Sequence, residues 1–257
     1  MIKVKSVFLS DIHLANPNCQ VDRLNSFLDQ IIPEQIFLLG DIVDLWKLSG
    51  RKGRWYTKHE QLLKRLLDYA NNGVSVVYIP GNHDPFFRTF EGKSLGAVSV
   101  HEEFIHTLVS GEKILLMHGD KFDQELYIGD FWHYIGEFFY EAIVTSNRWL
   151  NVIRKYIGLP YWSLSVALKM QSKKARSYIE AFEHKAVNYA KSKGLNGVIC
   201  GHIHQSKLTM IDDLIYANDG DWVESCSALV EHLDGKLQLV TTDASTFAAS
   251  SLNPVKI

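Results

Sequence analysis

The sequence predicts an α/β fold: two packed β-sheets flanked by helices, with a helical cap insert at about residues 122–185. Three observations lead there. Short, fully apolar runs alternate with longer stretches whose apolar residues fall at helical spacing. Strands buried on both faces read as continuous apolar runs, which argues for a parallel sheet with helices outside it. Two later segments instead carry turn residues between strand-like runs, and these read as β-hairpins.

Taken in order, residues 4–9 are apolar and β-branched and end at Ser10-Asp11. Residues 21–30 place Val21, Leu24, Phe27 and Leu28 on one helical face. Residues 36–39 form a short apolar strand ending at Gly40-Asp41. Residues 59–70 repeat a helical stripe through Leu62, Leu63, Leu66, Leu67 and Ala70, and Asn72-Gly73 stops it. Residues 74–79 are a third strand, broken by Pro80-Gly81; residues 114–117 and 198–200 are two more. The hairpins span residues 207–215 and 227–240, turning at Asp212-Asp213 and Asp234-Gly235.

A chain of 257 residues, 46% of them hydrophobic, fits a single domain over residues 1–257 with an ample core. The net charge of −2 gives no global field toward nucleic acid. Cys19, Cys200 and Cys226 form no CxxC pair and read as reduced thiols. The start lacks a signal-peptide apolar region, and no window approaches ~18 apolar residues. A cytoplasmic protein is expected.

Each strand is followed by a polar motif. The five are Asp11-Ile12-His13, Gly40-Asp41-Ile42-Val43-Asp44, Gly81-Asn82-His83-Asp84, His118-Gly119-Asp120 and Gly201-His202-Ile203-His204. In open α/β sheets, sites form at the carboxyl ends of strands. Carboxylate, amide oxygen and imidazole without thiolate suit manganese, iron or zinc. An Asp-x-His segment in extended form points both side chains to one side, so Asp11 and His13 can share an ion, as can His202 and His204. Asp41 can bridge two ions. Two ions about 3.5–4 Å apart can hold a hydroxide and clamp phosphoryl oxygens. Asn82 adds a neutral oxygen. His83 is free to face the phosphate and help the leaving oxygen, and Asp84 could orient its ring.

Blander readings exist for each residue alone. An Asp after a strand is usually a turn or cap residue, and His118 or His202 could be a satisfied core histidine. Jointly, these readings require seven polar residues to gather at strand ends without purpose. His59, His101, His106, His184 and His232 read as surface residues, and Cys200 as a buried strand residue. Asp44 and Asp120 are either partners of the ligands or solvated loop residues.

About eighty residues separate the fourth and fifth motifs, more than a crossover needs. They are rich in aromatics, and residues 145–178 hold no Asp or Glu but seven Lys or Arg. Such a segment suits an anionic amphiphile or an anionic membrane surface, so peripheral contact with the inner face of a membrane is a further expectation. The plainer alternative is a lid whose aromatics are its own core.

The five motifs, in this order, resemble the calcineurin-like metallophosphoesterase superfamily from residue 7 to about residue 204. The resemblance implies two divalent ions, manganese first, with iron or zinc as alternatives. One would take Asp11, His13, Asp41 and His204; the other Asp41, Asn82, His118 and His202; His83 would contact the phosphate. The insert is similar to that of the UDP-2,3-diacylglucosamine hydrolases of lipid A synthesis, a likeness that extends through residues 218–224. That branch implies cleavage of a nucleotide-linked glycolipid at its pyrophosphate, giving UMP and a lipid phosphate, with Lys174 as a substrate contact. The best-known members have Arg where this chain has His83, and Asp123 and Tyr127 only approximate their substrate-binding Asp and Tyr. The alternatives are a phosphodiesterase or nuclease, disfavoured by net charge, and a non-catalytic scaffold, disfavoured by the intact ligand set.

Overall fold

The computed structural model describes residues 1–50, 53–123 and 173–242, together with residues 146, 150, 151, 153, 154, 156–159 and 171. Most of the expected cap, with Tyr127 and His133, lies outside the described residues, as does the side chain of Lys174.

The elements are β1 (Ile2–Leu9), α1 (Val21–Leu28), β2 (Ile31–Leu39), α2 (Leu45–Ser49), α3 (Thr57–Asn71), β3 (Ser75–Ile79), β4 (Ser94–Leu95), β5 (Val98–Val100), β6 (Glu103–Thr107), β7 (Lys113–Met117), α4 (Lys173–Ser192), β8 (Gly197–Cys200), β9 (Lys207–Ile211), β10 (Leu214–Asn218), β11 (Ser227–Glu231) and β12 (Leu237–Thr241). One sheet has the order β12-β11-β1-β2-β3-β5-β4, the other β6-β7-β8-β10-β9. The inner strands run parallel: β1, β2, β3 and β5 in the first sheet, β7, β8 and β10 in the second. Antiparallel strands close the edges, so both sheets are mixed.

The apolar runs form strands because each is covered twice. Phe8, Phe37, Leu39, Val77, Ile79, Leu116 and Ile199 fill the space between the sheets. Phe8 and Phe37, paired across β1 and β2, stack at 5.1 Å. Outside the first sheet lie α1 and α3, through Leu24, Leu28, Leu62 and Leu66; outside the second lies α4, through Ile179, Phe182 and Ala186. Each Val, Leu, Ile or Phe among them contributes about 1.5–3 kcal/mol when fully buried.

Both hairpins form. Asp212 and Asp213 adopt φ of 48° and 61°, the left-handed pair whose twist matches a two-residue connection between β9 and β10.

Three sequence expectations change. Strand β2 starts at Ile31 rather than residue 36, because its first half alternates buried Ile31 and Pro33 with exposed Ile32 and Glu34. Strands β4–β6 were not expected, being short and interrupted by polar residues. His59 and His106 are buried rather than superficial. His59 falls on the inner stripe of α3 with Leu62, Leu66 and Ala70. His106 is the one fully buried residue of edge strand β6, on the inward face it shares with Phe104, with Nε2 2.8 Å from Glu231 Oε2. Among the described residues no helix is long and apolar enough to cross a membrane.

Candidate metal centre

The carboxyl ends of strands from both sheets converge on one group of side chains. Asp11 follows β1, Asp41 follows β2, Asn82 and His83 follow β3, His118 follows β7, and His202 and His204 follow β8. Three overlapping trios each offer ligand atoms within 4.8 Å of one another: Asp11, His13 and His204; His13, Asp41 and His83; Asp11, Asp41 and His118.

The backbone here is not extended, as the Asp-x-His spacing suggested. Asp11, His13, Asp41, His202 and His204 have φ of 49°, 51°, 55°, 71° and 51°. Left-handed conformations cost an L-residue roughly 1–2 kcal/mol each, and such strain persists where the surroundings over-determine it. Hydrogen bonds supply that constraint. Asp11 N–H donates to the Gly40 carbonyl (3.0 Å), His13 N–H to the Asp41 carbonyl (2.8 Å), and His202 N–H to Asp11 Oδ2 (2.8 Å).

Asp84 does not orient His83. Its buried carboxylate accepts the N–H groups of Gly81 (2.6 Å), Ile42 (2.7 Å), Asp41 (3.3 Å) and Val43 (3.3 Å), tying the loop after β3 to the loop after β2. Asp84 precedes a 3₁₀ turn, and its carboxylate is occupied by these backbone N–H groups at the strand ends. Asp44 takes the role instead, with Oδ1 3.2 Å from His83 Nδ1. Its other oxygen lies 3.5 Å from His13 Nδ1. The His83 Nε2 then faces Asp41 Oδ2 at 4.0 Å, and exposed Trp46 covers the His83 ring at 4.1 Å.

Among the remaining histidines, His118 is held from behind by a hydrogen bond. His118 Nδ1 donates to the Leu39 carbonyl at 2.7 Å, leaving Nε2 3.2 Å from Asn82 Oδ1 and 3.4 Å from Asp41 Oδ2. His204 Nε2 is 3.2 Å from Asp11 Oδ1, with Nδ1 3.9 Å from Asp221 Oδ1. His202 lies beside His118 (ring centroids 5.1 Å), outside the trios, with Nε2 2.8 Å from Asp123 Oδ1. Asp123 is thus turned onto His202. Asp120 pairs with Arg88 at 2.7 Å.

The loop after β10 supports the centre, which the sequence did not suggest. Burial and the Asp11 charge push Asp219 well above the usual carboxylate range. The Ser10 hydroxyl lies between the two carboxylates, as donor to Asp219 Oδ1 (2.6 Å) or Asp11 Oδ2 (2.8 Å), and links the loop after β10 to Asp11. The readable signal was the pattern itself, an apolar strand ending in Asn218-Asp219-Gly220-Asp221.

The field of this pocket demands positive charge. Burial alone would raise Asp11, yet His204, His13 and His118 hold it well below the usual carboxylate range. Burial would likewise raise Asp41, but His118 and His13 push it down. Burial opposes protonation of His118, and Asp41 nonetheless lifts it to about 10. His13 and His204 also rise against their burial, through Asp11 with Asp44 and Asp41 for the first and Asp11 with Asp221 for the second. Buried Asp11 Oδ1 accepts no hydrogen bond. Buried carboxylates, converging imidazoles and a buried carboxylate oxygen that accepts no hydrogen bond are what divalent cations require, so the residues fit a metal centre.

A family model for calcineurin-like phosphoesterases matches residues 4–206. A UDP-2,3-diacylglucosamine hydrolase of Haemophilus influenzae (strain PittGG) is 24% identical over 237 residues, covering 88% of this chain and 94% of that protein. Another of that name, from Porphyromonas gingivalis (strain ATCC BAA-308 / W83), is 31% identical over 128 residues, 47% of each chain. Among solved structures, a phosphoesterase from E. coli aligns over 98% of this chain and 96% of its own, at 15% identity and a TM-score of 0.46.

Proposed function

This chain belongs to the calcineurin-like phosphoesterase family, and on that premise we propose that it hydrolyses the pyrophosphate bond of a UDP-2,3-diacylglucosamine-type glycolipid to UMP and a lipid phosphate. The observation that carries the reading is the convergence of Asp11, His13, Asp41, His118 and His204 into overlapping trios of ligand atoms. Relatives named for that substrate, aligned over most of the chain, support the choice of substrate.

In this reading Asp11, His13, Asp41 and His204 hold one ion, and Asp41, Asn82, His118 and His202 the other. Bound divalent ions, manganese first and iron or zinc as alternatives, supply Lewis acidity to the phosphoryl group and the attacking water. The chain supplies the rest. Asp44 accepts the His83 Nδ1–H (3.2 Å), so the doubly protonated ring is the form that delivers an Nε2 proton to the leaving phosphate oxygen as the P–O bond breaks, and the ring then keeps its Nδ1 proton on Asp44. Asp84 keeps the loops of Asp41 and Asn82 in register. Trp46 walls the His83 ring on its solvent side.

The insert at about 122–185 acts as a cap, with Lys174 and Tyr127 contacting substrate and its aromatics packing the acyl chains. Its basic, acid-free stretch rests against an anionic membrane surface on the cytoplasmic side. Three buried free cysteines fit a reducing compartment.

The test compares UDP-2,3-diacylglucosamine with the acyl-free UDP-sugar. At roughly 0.8 kcal/mol per buried CH₂, the acylated substrate should win by several orders of magnitude in kcat/KM. Equal values would remove the lipid assignment and leave the phosphoesterase.

A further inference from the structure

His202 is oriented differently from the other histidines of the centre. His13, His118 and His204 each turn Nδ1 back onto an oxygen, of Asp44, the Leu39 carbonyl and Asp221, and each turns Nε2 toward Asp11 or Asp41. His202 instead turns Nε2 back, 2.8 Å from Asp123 Oδ1. An ionised carboxylate only accepts hydrogen bonds, so the neutral ring carries its proton on Nε2 and keeps the Nδ1 lone pair free. The same Asp123 oxygen accepts the Tyr178 hydroxyl at 3.0 Å. Phe182, one turn on from Tyr178 along α4, packs by the His202 ring with centroids 6.0 Å apart.

We propose that Asp123 and Tyr178 form a positioning pair for His202: Asp123 sets the tautomer and rotation that present Nδ1 to an ion, and Tyr178 fixes Asp123. This rests on the reading of His202 as a metal ligand. A carboxylate behind a ligating imidazole raises its basicity and fixes its orientation, and losing it typically costs 10–100-fold in metal affinity. Asp123 closes the short 3₁₀ turn that follows His118, and Tyr178 lies near the start of α4. The two residues therefore bracket the segment between them, and one ion ligand takes its orientation from where the insert leaves the fold and where it returns. Asp123 is a positioning residue here, acting through His202.

The experiment titrates chelator-stripped protein with Mn²⁺ by calorimetry, for the wild type, Asp123→Ala, Asp123→Asn and Tyr178→Phe. The wild type should bind two ions. Asp123→Ala should weaken one of them about 10–100-fold and leave the other unchanged. Asp123→Asn, which retains an oxygen acceptor, should recover part of that loss, and Tyr178→Phe should show a smaller loss at the same ion. Excess Mn²⁺ should restore Asp123→Ala turnover with an unchanged substrate KM. A wild type that binds fewer than two ions overturns the metal-centre reading and this pair with it. A wild type with two ions and an Asp123→Ala protein with unchanged affinities overturns the pair alone, as does a raised substrate KM with intact ion binding. Should Asp123→Ala fail to fold, Tyr178→Phe decides, and wild-type affinity in that variant contradicts the proposal.

Discussion

Gly81→Ala should empty the metal centre while leaving the fold standing. Gly81 is not in the left-handed region, so the penalty is purely steric. A Cβ there would overlap Asp41 Oδ1 and would lie 2.7 Å from Asp41 N and 2.8 Å from His118 Nε2. None of these atoms can yield freely. Asp41 Oδ1 accepts the His83 N–H at 2.7 Å, Asp41 N is held by Asp84 at 3.3 Å, and His118 is fixed from behind by the Leu39 carbonyl at 2.7 Å. Overpacking of this kind costs about 1–3 kcal/mol, or roughly 2–4 °C of Tm per kcal/mol in a chain of this size. The functional loss should be larger. A ligand or base displaced by about 1 Å can cost 10²-fold in rate, and here both Asp41 and His118 must move. Gly73→Ala is the control: φ is +92° but nothing lies within 4 Å. It should lower stability by about 1–2 kcal/mol with ion binding and turnover unchanged. The assay pairs Mn²⁺ titration with turnover and thermal melting for both variants. A Gly81→Ala protein with two tightly bound ions and full rate would refute the placement of Asp41 and His118 in the centre.

Three further predictions follow from the same geometry. His83→Ala should cut turnover about 10²–10⁴-fold with both ions retained; since His83 also forms a trio with His13 and Asp41, loss of an ion would make it a ligand instead. Ion binding should expel protons, because His118 is lifted to about 10 and His13 and His204 are raised, whereas ligands must be neutral. Apparent Mn²⁺ affinity should therefore climb with pH, and calorimetry in two buffers of different ionisation enthalpy should show proton release; a pH-independent affinity would contradict it. Glu231, despite burial that would raise it, is held below its ordinary value by His106, Ser6 and the Val109 N–H. A depressed carboxyl contributes stability that is present above its unfolded pKa and lost as pH falls through the folded one. Wild-type Tm should thus drop on acidification below about pH 4 more steeply than that of Glu231→Gln, and parallel curves would show that the inter-sheet cluster is not the cause.

The ligand-type residues were legible because each apolar run stops abruptly at Asp11, Asp41, Asn82 or His118, a change from buried strand to polar turn that few other functions produce. What was not legible depends on direction. Asp44 and Asp84 each close the motif that follows their strand, yet only Asp44 reaches His83, because Asp84 folds back onto the backbone N–H groups of Gly81 and Ile42. The spacing of Asp11 and His13 is the same in a left-handed turn as in a strand, so periodicity could not distinguish the two. His59 could have been placed inside, since it shares the α3 stripe with Leu62 and Leu66. His106 could not, because an edge strand of mixed composition has no readable period. Ser10 and Asp219 meet only where the end of β1 in one sheet faces the end of β10 in the other, more than two hundred residues apart in the chain.

The protein is read as a two-ion phosphoesterase acting on a nucleotide-linked glycolipid. The most direct test is to strip the protein with a chelator and follow UMP release from UDP-2,3-diacylglucosamine as Mn²⁺ is returned in measured equivalents. Activity should be absent in the stripped protein and rise until two equivalents per chain are bound, then level off. UMP release that persists without metal, or that saturates at one equivalent, would contradict the account.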